Sequence, residues 1–291
     1  MQRVRYPVVA GVFYESDEKS LLKRLEWCFL HKLGPRKLPS KSPVLKEKVV
    51  GIVSPHAGYM YSGPIAAHGY YELSLRMRPD LVIIIGPNHH GRGAPIAVPT
   101  HEVWRTPLGD IIIDQDFATK LVKESRLVEL DDIAHAYEHS IEVQLPFLQY
   151  VYGDQIKNLK VVPIAMLLQN PEVSDSLGKA IKSLEDKLGY NAMVIASTDF
   201  THYEPQRIAY HKDKMAIDAI TELNLRRLYN VVIENSITMC GLGPVMTLIS
   251  YVLTAGEISV KLLKYSTSGD VTGDYGSVVG YASIIFTKSE G

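Results

Sequence analysis

Leu81-Val82-Ile83-Ile84-Ile85 runs directly into Gly86-Pro87-Asn88-His89-His90-Gly91, and the reading of this stretch decides the fold. An apolar run dominated by β-branched residues and stopped by Gly-Pro reads as a strand buried on both faces. Three other runs have the same character: Val49 to Val53, Val161 to Ala165 and Ala192 to Ala196. Helical patterns lie between them at Ile65 to Leu75, Gln115 to Ser125, Ser140 to Tyr150 and Pro171 to Leu188. Strand alternating with helix predicts an α/β fold with a mainly parallel central sheet flanked by helices. Two more strands, Ile258 to Tyr265 and Val278 to Thr287, follow later. The Gly-rich link between them is too short for a crossover helix, which predicts an antiparallel pair. Further helices are expected over Glu18 to His31, Gln206 to Ile220 and Leu242 to Leu253. The stretch Leu33 to Lys48, rich in Pro, Ser and Lys, reads as a surface loop, so residues 1–291 are expected to form one domain.

Composition narrows the function. A net charge of −1 gives no overall basic footprint for nucleic acid or anionic lipid. No apolar run approaches the ~20 residues of a membrane span, and the start carries no recognisable signal peptide. Two cysteines, Cys28 and Cys240, make no disulfide framework. A reduced, cytoplasmic protein is the expectation.

The reactive residues cluster by position. Val49–Val53 leads into Ser54-Pro55-His56-Ala57-Gly58-Tyr59, and Ala192–Ala196 into Ser197-Thr198-Asp199-Phe200-Thr201-His202-Tyr203. Three candidate strands thus end in turns carrying His, or Asp with His. In a parallel sheet the carboxyl ends share one edge, where ligands bind. A fourth segment, Ser236 to Pro244, holds Cys240 just before a helix start, a place that favours a thiolate. A fifth, Tyr137-Glu138-His139-Ser140-Ile141-Glu142, places His139 and two carboxylates near another helix start. Each residue also has a plainer reading. His56 and Asp199 would serve as turn caps, Cys240 as a buried thiol, and Cys28 reads as core. The histidines at 31, 68, 101, 135 and 211 have no supporting context. Tyr59, Tyr61, Trp104 and Tyr203 would line an aromatic-friendly pocket or simply fill the core.

His56, one of His89 and His90, and Cys240 form an N,N,S set suited to Zn, Fe(II) or Cu. Three protein ligands leave a coordination position open, the mark of a catalytic site. Asp199, His202 and His139 would then orient imidazoles or serve as acid and base. A metal-free reading uses the same residues: Cys240 as nucleophile, a His as its base and Asp199 as the orienting group. The Gly86–Gly93 stretch has glycines but lacks the Lys-Ser/Thr of a Walker A loop.

Six motifs together resemble the Memo family: Pro55-His56-Ala57-Gly58-Tyr59, Gly86-Pro87-Asn88-His89-His90, Trp104-Arg105-Thr106-Pro107-Leu108-Gly109, Glu138-His139-Ser140-Ile141-Glu142, Ser197 to Tyr203, and Cys240-Gly241. The match runs in order from Ala10-Gly11 to the last strand. Eukaryotic members are called mediators of cell motility, and prokaryotic ones AmmeMemoRadiSam system protein B. The resemblance implies one α/β domain similar to LigB-type extradiol dioxygenases, which are non-haem iron enzymes. It implies a metal site at His56, His89 and Cys240, with Asp199 and His202 beside it, and it favours His89 over His90. Cys240 stands where those dioxygenases have a carboxylate, which leaves room for Cu or Zn beside iron. The expected activity is that of a non-haem iron or copper oxidoreductase acting on a small molecule. The family also implies a non-enzymatic alternative, an adaptor for phosphotyrosine peptides. The prokaryotic name suggests association with a radical SAM protein and an AMMECR-type protein.

Overall fold

The computed structural model describes residues 2–76 and 78–288. Along the chain, a short strand β1 (Val4–Arg5) precedes α1 (Glu18–Leu30), β2 (Lys48–Ser54), α2 (Tyr59–Ser74) and β3 (Leu81–Pro87). Then come β4 (Ile96–Val98), β5 (Val103–Thr106), β6 (Gly109–Ile113), α3 (Gln115–Glu124), β7 (Glu129–Leu130), α4 (Leu145–Tyr152) and β8 (Lys160–Met166). The second half holds α5 (Pro171–Leu188), β9 (Ala192–Ser197), β10 (His202–Glu204), α6 (Gln206–Thr221), α7 (Leu225–Glu234) and α8 (Leu242–Leu253). It closes with β11 (Ser259–Thr267), the one-turn α9 (Gly269–Thr272) and β12 (Val278–Lys288).

One sheet carries the fold, in the order β1-β5-β6-β8-β3-β9-β2-β12-β10. Its centre, β6-β8-β3-β9-β2, is parallel throughout. The four apolar runs of the sequence are β2, β3, β8 and β9, and every residue of β3 and β9 is buried. β11 and β12 pair antiparallel, as their short link requires, and β12 lies antiparallel on β2. One face of the sheet packs against α1, α2 and α4, the other against α3, α5, α6, α7 and α8. Neither cluster can be buried without the sheet, and each buried Leu, Ile or Phe contributes about 1.5–3 kcal/mol.

Three local readings change. The helix expected from Ile65 begins at Tyr59, ahead of Pro64. Its first turn is held from outside: the Tyr59 amide donates to the Phe13 carbonyl at 2.8 Å, and its hydroxyl to the Val143 carbonyl at 2.6 Å. The helix expected over 140–150 is instead a 3-10 turn (Glu142–Gln144) followed by α4, with Pro146 in the first turn. Glu138 and Glu142 therefore precede the helix, and side chains and loop amides bind them instead of a helix dipole. The β5–β6 hairpin and α7 were not expected. α7 buries Leu228 and Val232 and packs Leu225, Tyr229 and Val231 against the same core, an amphipathic spacing that the sequence carries.

Candidate metal centre

The register brings the turns together. Ser54 of β2 lies opposite Ser197 of β9, and Ile85 of β3 opposite Ala196. The segments that follow all three strands consequently emerge at one sheet edge.

His56 is buried there, and its tautomer is fixed by a relay. Gln144 donates from Nε2 to the Pro55 carbonyl at 3.0 Å and accepts the Tyr70 hydroxyl on Oε1 at 2.7 Å. A carbonyl only accepts, so the amide cannot be flipped. Nε2 also donates to Ser197 Oγ at 2.9 Å, while Ser197 Oγ spends its own proton on the Ser140 carbonyl at 2.7 Å. That hydroxyl has only a lone pair left for His56 Nδ1, 2.8 Å away. Nδ1 therefore carries the proton, and Nε2 presents a lone pair to Cys240 Sγ at 3.2 Å.

His89 is fixed by a carboxylate. Its Nδ1 donates to Glu138 Oε1 at 2.9 Å and its amide to Oε2 at 2.7 Å. Oε1 also accepts the His139 and Ser140 amides at 2.9 and 2.8 Å. Burial pushes the Glu138 carboxyl up, but the hydrogen bond and charge interactions with His89 and then His139 outweigh it and hold it well below the ordinary range. Gly86 makes room for this segment: a Cβ there would lie 2.3 Å from Ser140 Oγ. His90 turns away, with its Nε2 on the Tyr137 carbonyl at 2.8 Å. The adjacent histidines thus separate, with His89 in the cluster and His90 outside it.

Cys240 reaches the cluster because its turn presses on the end of β9. A Cβ on Gly241 would sit 2.3 Å from the Ser197 carbonyl, closer than two such atoms can approach. Gln169 clamps the turn, donating to the Cys240 carbonyl at 3.0 Å and accepting the Gly243 amide at 2.7 Å. The Asp199 amide points at Cys240 Sγ from 3.2 Å. Burial, with the Asp199 carboxylate beside it, pushes the thiol pKa up. Burial, together with His139 and His89, pushes His56 well down. The pair is therefore thiol and neutral imidazole in the absence of a cation, and a bound cation would stabilise the thiolate.

The ligand atoms of His56, His89 and Cys240 lie within 4.8 Å of one another. Tetrahedral ligation by two imidazoles and a thiolate asks for edges of about 3.5 Å, so small side-chain movements close the set. A second grouping, His89, Glu138 and His139, meets the same distance. Its carboxylate is already committed to four N–H donors, which suits it to orienting His89.

Asp199, His202 and His139 stand around this cluster. Asp199 Oδ1 accepts the His56 amide at 2.8 Å, and burial pushes the carboxyl up to about 6. His202 Nδ1 pairs with the Thr238 carbonyl at 2.8 Å, which leaves Nε2 bare. His139 stacks on His89 at 4.6 Å, and burial pushes its pKa down to about 4. All three, with His56 and His89, line one cleft of about 720 Å³. Tyr61 and Tyr203 line it too, whereas Tyr59 and Trp104 are core, Trp104 under the Arg5 guanidinium at 4.1 Å. Cys28 is fully buried. The orienting residues Glu138, Ser197, Gln144 and Gln169 were not singled out from the sequence for these roles, because nothing in one sequence says which polar neighbour faces a ring.

A family model described as Memo-like protein matches residues 5–285. A MEMO1 family protein of Methanocaldococcus jannaschii is 47% identical over 98% of this chain and 99% of its own length. One of Methanopyrus kandleri is also 47% identical, over 98% and 99%. One of Sulfolobus acidocaldarius is 46% identical, over 97% and 99%. The crystal structure of the uncharacterized protein JW3007 from Escherichia coli K12 superposes with a TM-score of 0.56, covering 82% of this chain and 100% of that one, at 14% identity. It is similar in fold alone.

Proposed function

This chain belongs to the Memo family, and we propose that it is a mononuclear metal enzyme of the oxidoreductase class, with His56, His89 and Cys240 as ligands to iron or copper. One observation carries the reading: two imidazoles have their Nδ1 protons tied down by Ser197 and Glu138, so both Nε2 lone pairs are free beside a thiol in a cleft. Pre-set tautomers of this kind are what metal sites need, and their loss commonly costs 10–100-fold in affinity. A bound iron or copper would supply one-electron chemistry and an open coordination position.

The chain's own residues would do the rest. Glu138 and the Ser197–Gln144 relay hold the rings in place. His139 supports the His89 ring by stacking. Asp199 and His202 face the cleft and are the groups to give or take a proton from bound substrate. A hydrolase built on Cys240, His56 and Asp199 is less well supported. Its orienting carboxylate should hold the imidazole, yet Asp199 holds the His56 backbone amide while Ser197 holds the ring. Both cysteines are free, which agrees with a reducing compartment and supports a cytoplasmic place for this chemistry. No helix among the described residues is long and apolar enough to cross a membrane.

The test is anaerobic reconstitution with Fe(II) or Cu(I), followed by O₂-consumption and reductant-oxidation screens. Turnover that disappears in His56→Ala is expected. A loaded protein whose metal cannot be reduced or oxidised would overturn the redox reading.

A further inference from the structure

The surface loop between α1 and β2 carries a charge that the whole-chain balance of −1 conceals. Over Lys32 to Lys46 it holds five cations, Lys32, Arg36, Lys37, Lys41 and Lys46, and no acid. All five are exposed, and among the described residues none pairs with a carboxylate. The neighbouring Glu47 and Glu72 face Arg76 instead. Arg78 adds a further charge beside the loop, donating to the Lys41 carbonyl at 3.1 Å. The loop backbone is pinned along the end of α2. The Leu33 carbonyl accepts from His68 Nε2 at 2.9 Å, and the Ser40 amide donates to Ser74 Oγ at 2.9 Å. The Val44 and Leu45 amides both donate to the Leu75 carbonyl, at 2.7 and 2.8 Å. From His68 to Leu75 is about 10 Å of helix, whereas the same loop extended would span about 40 Å. The fold therefore gathers the cations, and charges about 10 Å apart still act together at ordinary salt.

The other side chains of the loop say what such a surface meets. Leu38, Val44 and Leu45 stand exposed among the cations, Val44 at 68%. Lys32 to Lys46 contains no aromatic residue and a single arginine. Single-stranded nucleic acid is held by stacking on aromatic rings as well as by charge. The anchors of protein interfaces are Trp, Tyr and Arg, with Lys depleted. Lysines are flexible point charges, and with aliphatic side chains between them they suit many mobile anionic headgroups over an apolar layer. The loop lies at the sheet edge where β2 begins, and the metal cluster at the edge where β2 ends. A surface met by the loop leaves the cleft open to solvent.

We propose that the Lys32–Lys46 loop is a docking surface for an anionic lipid bilayer. Its cations meet the phosphate headgroups, and Leu38, Val44 and Leu45 enter the layer beneath them. Docking of this kind is independent of what the cleft binds, so it stands or falls apart from the metal centre.

The full chain would be sedimented, at about 0.1 M salt, with phosphatidylcholine vesicles containing about one-third phosphatidylserine and with pure phosphatidylcholine vesicles. It should bind the first and not the second, and about 1 M salt should remove most of the binding. Each cation near such a surface contributes about fivefold in affinity, so Lys37→Ser, Lys41→Ser and Lys46→Ser together should weaken binding about 100-fold. Lys37→Arg, Lys41→Arg and Lys46→Arg together should bind as the unsubstituted chain does. Val44→Ser should weaken binding about threefold to tenfold, the value of one buried aliphatic side chain. Lys120→Ser, Lys179→Ser and Lys214→Ser change the net charge equally, on helices where these lysines pair with Asp116, Asp175 and Asp218, and should leave binding unchanged. Equal binding to neutral vesicles, no binding to either kind, or equal effects of the two sets of serine substitutions would overturn the proposal. So would tighter binding of an oligouridylate or a polyglutamate peptide than of anionic vesicles at equal charge.

Discussion

Replacing Glu138 by glutamine tests whether a buried carboxylate sets the His89 ligand. The carboxylate accepts four N–H groups, three on Oε1 and one on Oε2. Glutamine has one acceptor oxygen. Its better orientation keeps the oxygen at the Oε1 position and turns its NH₂ group toward the His89 amide, so one donor faces another. Three charge-assisted bonds become neutral ones, each losing about 1 kcal/mol, and the facing donors cost about 1–3 kcal/mol more. Relief of the carboxylate's desolvation offsets part of this, leaving about 3 kcal/mol. For a chain of 291 residues this is a fall in Tm of about 5 °C. Metal affinity, measured by competition with a chromophoric chelator, should fall about 10–100-fold, because a weaker neutral hydrogen bond now holds the His89 ring and its backbone amide has lost its acceptor. The pH dependence gives a second reading. The unfolded carboxyl titrates near 4.5 and the folded one far lower. Its stabilisation is complete above pH 4.5 and lost as the pH falls below that value. Glu138→Gln should therefore have a shallower loss of stability in that acid window than the unsubstituted protein. Unchanged metal affinity together with unchanged acid unfolding would refute the reasoning.

Other substitutions probe the remaining supports. Ser197→Ala removes the acceptor of His56 Nδ1; ¹⁵N NMR of the ring should show a mixture of tautomers, with metal affinity down about tenfold or more. Gly241→Ala places a methyl against the Ser197 carbonyl, where backbone cannot yield; chemical denaturation should show a loss of about 3 kcal/mol, and metal binding should weaken with it. Arg5→Ala strips the buried partner from Glu142, which it meets at 2.7 Å; unfolding should move by about 3–5 kcal/mol while the metal stoichiometry of the folded protein stays the same.

The central sheet was legible because strands buried on both faces leave continuous apolar runs, and the turns after them carried the chemistry. His56, Asp199 and the His89–His90 pair could be nominated for that reason alone, and Cys240 by its place just before a helix start. His89 over His90 could not be read from spacing, since it turns on a carboxylate, Glu138, that arrives from 49 residues away. The 3-10 turn before α4 escaped notice because apolar spacing at 140–150 fits a helix equally well, and only Pro146 marks where the helix begins.

The central claim is the ligand set, and X-ray absorption at the edge of the bound metal tests it most directly. The loaded protein should show one sulfur scatterer at about 2.3 Å and two imidazole nitrogens at about 2.0–2.1 Å. The sulfur should vanish in Cys240→Ser, and metal should be lost in His56→Ala. A metal shell without sulfur, or metal bound equally well by both variants, would contradict the account.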